Sequence, residues 1–96
     1  MSTFVLTVQE LQLLHQATRM AGDRLARQDN LSGSRVMDAL LDHLDTAPTS
    51  VWLNAAQREV LGKMLMNMAY DFMRDNEDAR AEAAEALAER LFHEDE

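Results

Sequence analysis

The chain has 96 residues, 47% of them apolar, and carries 17 acidic against 9 basic side chains for a formal charge of −8. That length suits one domain over residues 1–96 with a single small core. The lack of cysteine excludes a disulfide scaffold, a thiolate metal site and a cysteine nucleophile, and no apolar run approaches the ~20 residues that span a bilayer. No basic stretch followed by a long apolar core opens the sequence, so no secretory signal is expected and the location read from it is cytoplasmic.

The first structural signal is at Thr7. Thr7 and Glu10 have capping-box spacing, and Leu6 and Leu11 are placed as a hydrophobic staple. A helix is predicted from Val8 to about Gln28. Its apolar stripe is Leu11, Leu14, Ala17, Ala21 and Leu25, widened by Val8, Leu13 and Met20. Gly22 interrupts it and reads as a close helix crossing or a tolerated defect, with a functional hinge as the alternative. Asp29 to Ser34 is rich in turn formers and reads as a connector. Ser34 is then the predicted cap of a second helix, Arg35 to about Asp45, with Val36, Met37, Leu40, Leu41 and Leu44 inward and Asp38, Asp42 and Asp45 outward. Pro48 closes this element, because a proline steers the residue before it out of the helical region.

Asn54 and Gln57 repeat the capping-box spacing, with Leu53 where Leu6 stood. The third helix is predicted from Ala55 to about Arg74. Val60, Leu61, Met64, Leu65, Met68, Ala69, Phe72 and Met73 give it an apolar face broad enough for the centre of the fold, or for sharing between two subunits of a homodimer. Phe4-Val5-Leu6-Thr7 echoes Val51-Trp52-Leu53-Asn54 at an offset of 47 residues, which reads as two uses of one helix-start grammar, with a degenerate duplication as the alternative. The two apolar runs, 3–6 and 50–53, suit a minor two-stranded ribbon, which needs helices to cover it. Trp52 is expected to be buried. The last helix is predicted from Asp75 or Asn76 to Phe92, with Ala79, Ala83, Ala86, Leu87, Arg90 and Leu91 at helical spacing. Its few large apolar residues suggest weak docking, and residues 93–96 a frayed tail. The fold class expected is all-α, a small bundle of about four helices.

Charge is unevenly spread. Residues 1–74 hold 8 acids and 7 bases, whereas residues 75–96 hold 9 acids and 2 bases. Asp71, Asp75, Asp78, Glu82, Glu85 and Glu89 are therefore the candidate partner-binding residues, facing a protein with a basic surface. Arg19, Arg24, Arg27 and Arg35 form an alternative basic patch. Two uses suggest themselves for it: contact with nucleic acid, or pairing with the acidic last helix within the fold. Asp38, Asp42 and Asp45 would meet phosphate unfavourably on the helix that would have to read a groove. A third reading has the acidic surface mimic nucleic acid and inhibit a basic protein.

Signals for chemistry are weak. His15, His43 and His93 fall on three elements without ligand spacing, and no His-Glu-x-x-His occurs. Asp71, Asp75 and Asp78 lack the spacing and central glycine of a calcium loop. Ser32-Gly33-Ser34 is too short for a phosphate loop and no lysine follows it. The carboxylates fall on predicted solvent faces rather than in a cleft, and Ser32, Ser34 and Ser50 read as caps. The expectation is a small acidic interaction module with no catalytic activity, metal or cofactor.

Overall fold

The computed structural model describes residues 2–93, apart from the side chain of Ser2. The elements are β1 (Ser2–Val5), α1 (Val8–Arg27), α2 (Leu31–Leu44), β2 (Ser50–Leu53), α3 (Ala55–Arg74) and α4 (Asp78–His93). Both capping boxes form. The Glu10 N–H donates to Thr7 Oγ1 at 3.1 Å while the Thr7 N–H donates to Glu10 Oε1 at 2.9 Å. Asn54 and Gln57 exchange the same two bonds at 2.8 and 3.0 Å. Four free donors at two helix starts are thereby satisfied.

The ends of α1 and α3 also match. Asp29 (φ 60°) and Asn76 (φ 62°) adopt the left-handed conformation that short polar side chains tolerate. The next N–H then folds back onto the helix, from Asn30 to the Leu25 carbonyl at 2.9 Å and from Glu77 to the Phe72 carbonyl at 2.7 Å.

These pairs all lie 47 residues apart, as do the starts of α1 and α3, each 20 residues long. The echo seen at two helix starts thus continues through whole helices and their ends. The antiparallel ribbon obeys the same rule. Phe4 faces Val51, its own equivalent, while Thr3 faces Trp52 and Val5 faces Ser50. A half-turn about the Phe4–Val51 pair maps the ladder onto itself. The molecule is a βαα unit used twice, its halves joined by the ribbon and by α1 against α3.

Burial follows the repeat. Phe4, Leu6, Leu14, Ala17, Ala21, Leu40 and Leu44 are buried, and so are their equivalents Val51, Leu53, Leu61, Met64, Met68, Leu87 and Leu91, in one continuous core. Thr18, buried on α1, satisfies its hydroxyl by donating to the Leu14 carbonyl at 2.7 Å. Gly22 does mark a close crossing, since a Cβ there would stand 3.4 Å from the Met37 Cβ on α2.

Several expectations need correction. Helix α2 starts at Leu31, not Arg35, because Asn30 rather than Ser34 is the cap and accepts from the Gly33 N–H at 2.9 Å. Val8 and Val36 are exposed, beyond the edges of their helices' inner stripes. Helix α4 starts at Asp78, after the left-handed turn at Asn76, and stays helical through His93, while the rest of the expected tail lies outside the described residues. It does not dock weakly. Ala81, Ala84, Leu87, Ala88 and Leu91 are all buried, not Ala79 and Ala86, and α3 against α4 is the most extensive helix pair. Small alanines let the two helices approach closely, so few large residues are needed. Trp52 is 49% exposed, because in the ladder it alternates with Val51 and Leu53, which take the inner face.

Candidate interaction surfaces

The acidic candidates are all solvent-exposed. Asp78, Glu82, Glu85 and Glu89 recur at spacings of four, three and four, so they form one stripe along α4. Asp71 and Asp75 occupy the end of α3. Asp71 forms an ion pair with Arg74, whereas Asp75, Asp78, Glu82, Glu85 and Glu89 make no ion pair among the described residues.

The structure does not clamp the α1 arginines onto α4. Arg19, Arg24, Arg27 and Arg35 are exposed and make no ion pair among the described residues. The link between these helices runs the other way. Arg90 of α4 donates from Nη1 to Glu10 Oε2 on α1 at 2.7 Å, and from Nη2 to the Val5 carbonyl at 3.1 Å. The guanidinium also lies 5.8 Å from the Phe4 ring centroid. One side chain thus ties α4, α1 and the outer edge of β1. Burial opposes ionisation of Glu10, but the Thr7 N–H and Arg90 outweigh it and hold the carboxyl below its ordinary value.

The arginines separate in space. Arg24 and Arg27 border a groove between α1 and α3, whereas Arg19 and Arg35 do not line it. The groove is a chain of three open cavities of ≈ 340, 260 and 270 Å³. Met20, Leu25, Val60 and Met64 supply its apolar floor, and Lys63 joins the rim. Sequence reasoning found the arginines but missed the groove, which appears only when Leu25 and Val60, distant in sequence, line one cavity.

The outer face of the ribbon presents Thr3, Val5 and Trp52 to solvent without a charged side chain among them. Most of the apolar face of α3, expected to suit the centre of the fold or a second subunit, is covered within the chain by α1 and α4, while Met73 near its end stays exposed. The His15 Nε2–H donates to Asp45 Oδ1 at 2.6 Å. No group of three His, Asp or Glu residues is placed to hold a metal ion among the described residues. None of the described helices is long and apolar enough to cross a membrane. No protein-family model, curated protein or solved structure matches the chain.

Proposed function

We propose that this chain is a cytoplasmic, non-catalytic interaction module whose acidic stripe on α3 and α4 engages a basic surface of another protein. The observation that supports this reading is the state of the stripe. Asp75, Asp78, Glu82, Glu85 and Glu89 stand in solvent on helix ends and faces that the core does not use, and none is spent on an ion pair among the described residues. Carboxylates so placed repel one another and add little to stability. They also steer a basic partner toward the face they line.

The test is one triple variant, Glu82→Gln/Glu85→Gln/Glu89→Gln, read by calorimetric melting and by pull-down from the native host in low salt. The expected result is a melting temperature equal to or slightly above wild type, with loss of a partner that wild type retains. Retention of the same partner by the variant would reject the acidic interface.

A further inference from the structure

The two halves of the molecule differ most informatively at the ends of α1 and α3. At the end of α3, Arg74 pairs with Asp71 three residues before it. The equivalent of Arg74 is Arg27, but the equivalent of Asp71 is Arg24. The in-helix partner has been exchanged for a second cation, so α1 ends with two arginines on the groove rim and no carboxylate paired to either among the described residues. One carboxylate, Asp23, lines the same cavity, and the rim Lys63 carries an exposed ion pair to Glu59 at 3.1 Å.

The floor below them differs from its counterpart in the same sense. In the second half, the Arg80 guanidinium lies 5.9 Å from the Phe72 ring centroid. The equivalents of Arg80 and Phe72 are Gly33 and Leu25, which both line the groove. A long side chain is thus replaced by none. The second half keeps a cavity of ≈ 240 Å³ at the equivalent place, but Arg80 and the glutamines Gln9, Gln12 and Gln16 line it, where Gly33, Ala56 and Val60 give the first an apolar wall. Val36 borders the cavity of the first half and is 46% exposed.

We propose that this groove docks an acidic amphipathic helix of a partner protein. Its length fits. The lining residues on α3 run from Ala56 to Asn67, about 17 Å at 1.5 Å per residue, or three turns of a bound helix. Its chemistry fits as well. Leu25, Val36, Val60 and the adaptable Met20 and Met64 receive an apolar face, and Arg24, Arg27 and Lys63 meet carboxylates flanking it. The site is distinct from the acidic stripe and opposite in sign, so the chain would hold two partners of opposite charge.

The overall charge of −8 makes the test discriminating, because an acidic probe is repelled everywhere except at a local cationic site. The probe is a fluorescein-labelled peptide of roughly 16 residues, long enough to hold a helix, with leucines on one helical face and glutamates elsewhere. The intact wild-type protein should bind it saturably, one to one, and more weakly as salt rises. Arg24→Glu/Arg27→Glu, at two exposed positions, should keep the wild-type circular dichroism spectrum and weaken binding at least about tenfold. A peptide of the same composition with its leucines scattered around the helix should also bind at least about tenfold more weakly, which tests the apolar floor without altering the protein. Absence of saturable binding up to about 1 mM, equal binding by the scattered peptide, or equal binding by the double variant would overturn the proposal. So would binding of a single-stranded oligonucleotide in place of the peptide, or self-association that the double variant abolishes, since each names a different occupant.

Discussion

Among the described residues Arg90 makes three contacts with one guanidinium, and Glu10 is the one that gives it a pH signature. A carboxyl held below its ordinary value contributes stability that is complete above that value, 4.5, and is lost as pH falls through the lower folded value. Arg90→Gln should therefore cost about 1–2 kcal/mol near neutral pH, as expected for a part-buried charge-assisted pair. The difference from wild type should shrink below pH 4.5 as Glu10 takes up its proton. Urea titrations of both proteins at several pH values would check it, and a constant difference across that range would refute the role assigned to Glu10. Trp52 makes the opposite point. Its ring stands on the outer face of the ribbon, so Trp52→Ala should cost less than about 1 kcal/mol, and its emission should lie toward that of solvent-exposed tryptophan. Leu53→Ala, one residue on and fully buried, should cost about 2–5 kcal/mol. The apolar character of Trp52 is plain in the sequence. Its outward direction is not, because a run of three apolar residues does not say which of them alternates to solvent.

At the scale of single elements, the helix starts that two side chains close reciprocally were legible to the residue. Thr7–Glu10 and Asn54–Gln57 are local, and nothing distant competes with them. Asn54→Ala should cost about 1 kcal/mol by thermal melting. The start of α2 was misread because Asn30 and Ser34 are both good caps. Asn30 wins because the left-handed turn at Asp29 already aims it at the Gly33 N–H. Hydrophobic bulk in the sequence understates the packing of α4, because small residues pack by close approach. Ala81, Ala84 and Ala88 are small but fully used, and Leu87 and Leu91 complete the face. Leu87→Ala should cost about 2–5 kcal/mol and broaden the melting transition, whereas a loosely docked helix would tolerate the change. The acidic candidates were legible from charge alone, but the groove beside Arg24 and Arg27 required two helices to meet.

Across the whole molecule, the 47-residue repeat that the buried positions share does not extend to the surfaces. Gly62 stands where His15 stands, and a Cβ on it would come within 2.7 Å of the Phe92 ring. Phe92 in turn stands where Asp45 stands, so a hydrogen bond joining two helices in the first half becomes a ring over a glycine in the second. The shared pattern of buried residues preserves the scaffold, while each exposed face is free to diverge in charge and depth.

Residues 45–49, which join α2 to β2, include one left-handed residue, Ala47 at φ 54°. An alanine there bears a steric penalty that glycine escapes, so Ala47→Gly should raise stability by about 0.5–1 kcal/mol, measured by urea denaturation. A larger consequence follows from what this segment connects. Every hydrogen bond of the ribbon crosses from one βαα unit to the other. The linker adds one bond of this kind, from the Leu6 N–H to the Thr49 carbonyl at 2.9 Å; its larger contribution is proximity, equivalent to a partner held at about millimolar concentration. Protein nicked between Ala47 and Pro48 should therefore obey the law of mass action. Its melting temperature should rise with total protein concentration, where that of the intact chain stays constant, and the two separated fragments should recombine on mixing to restore the helical spectrum.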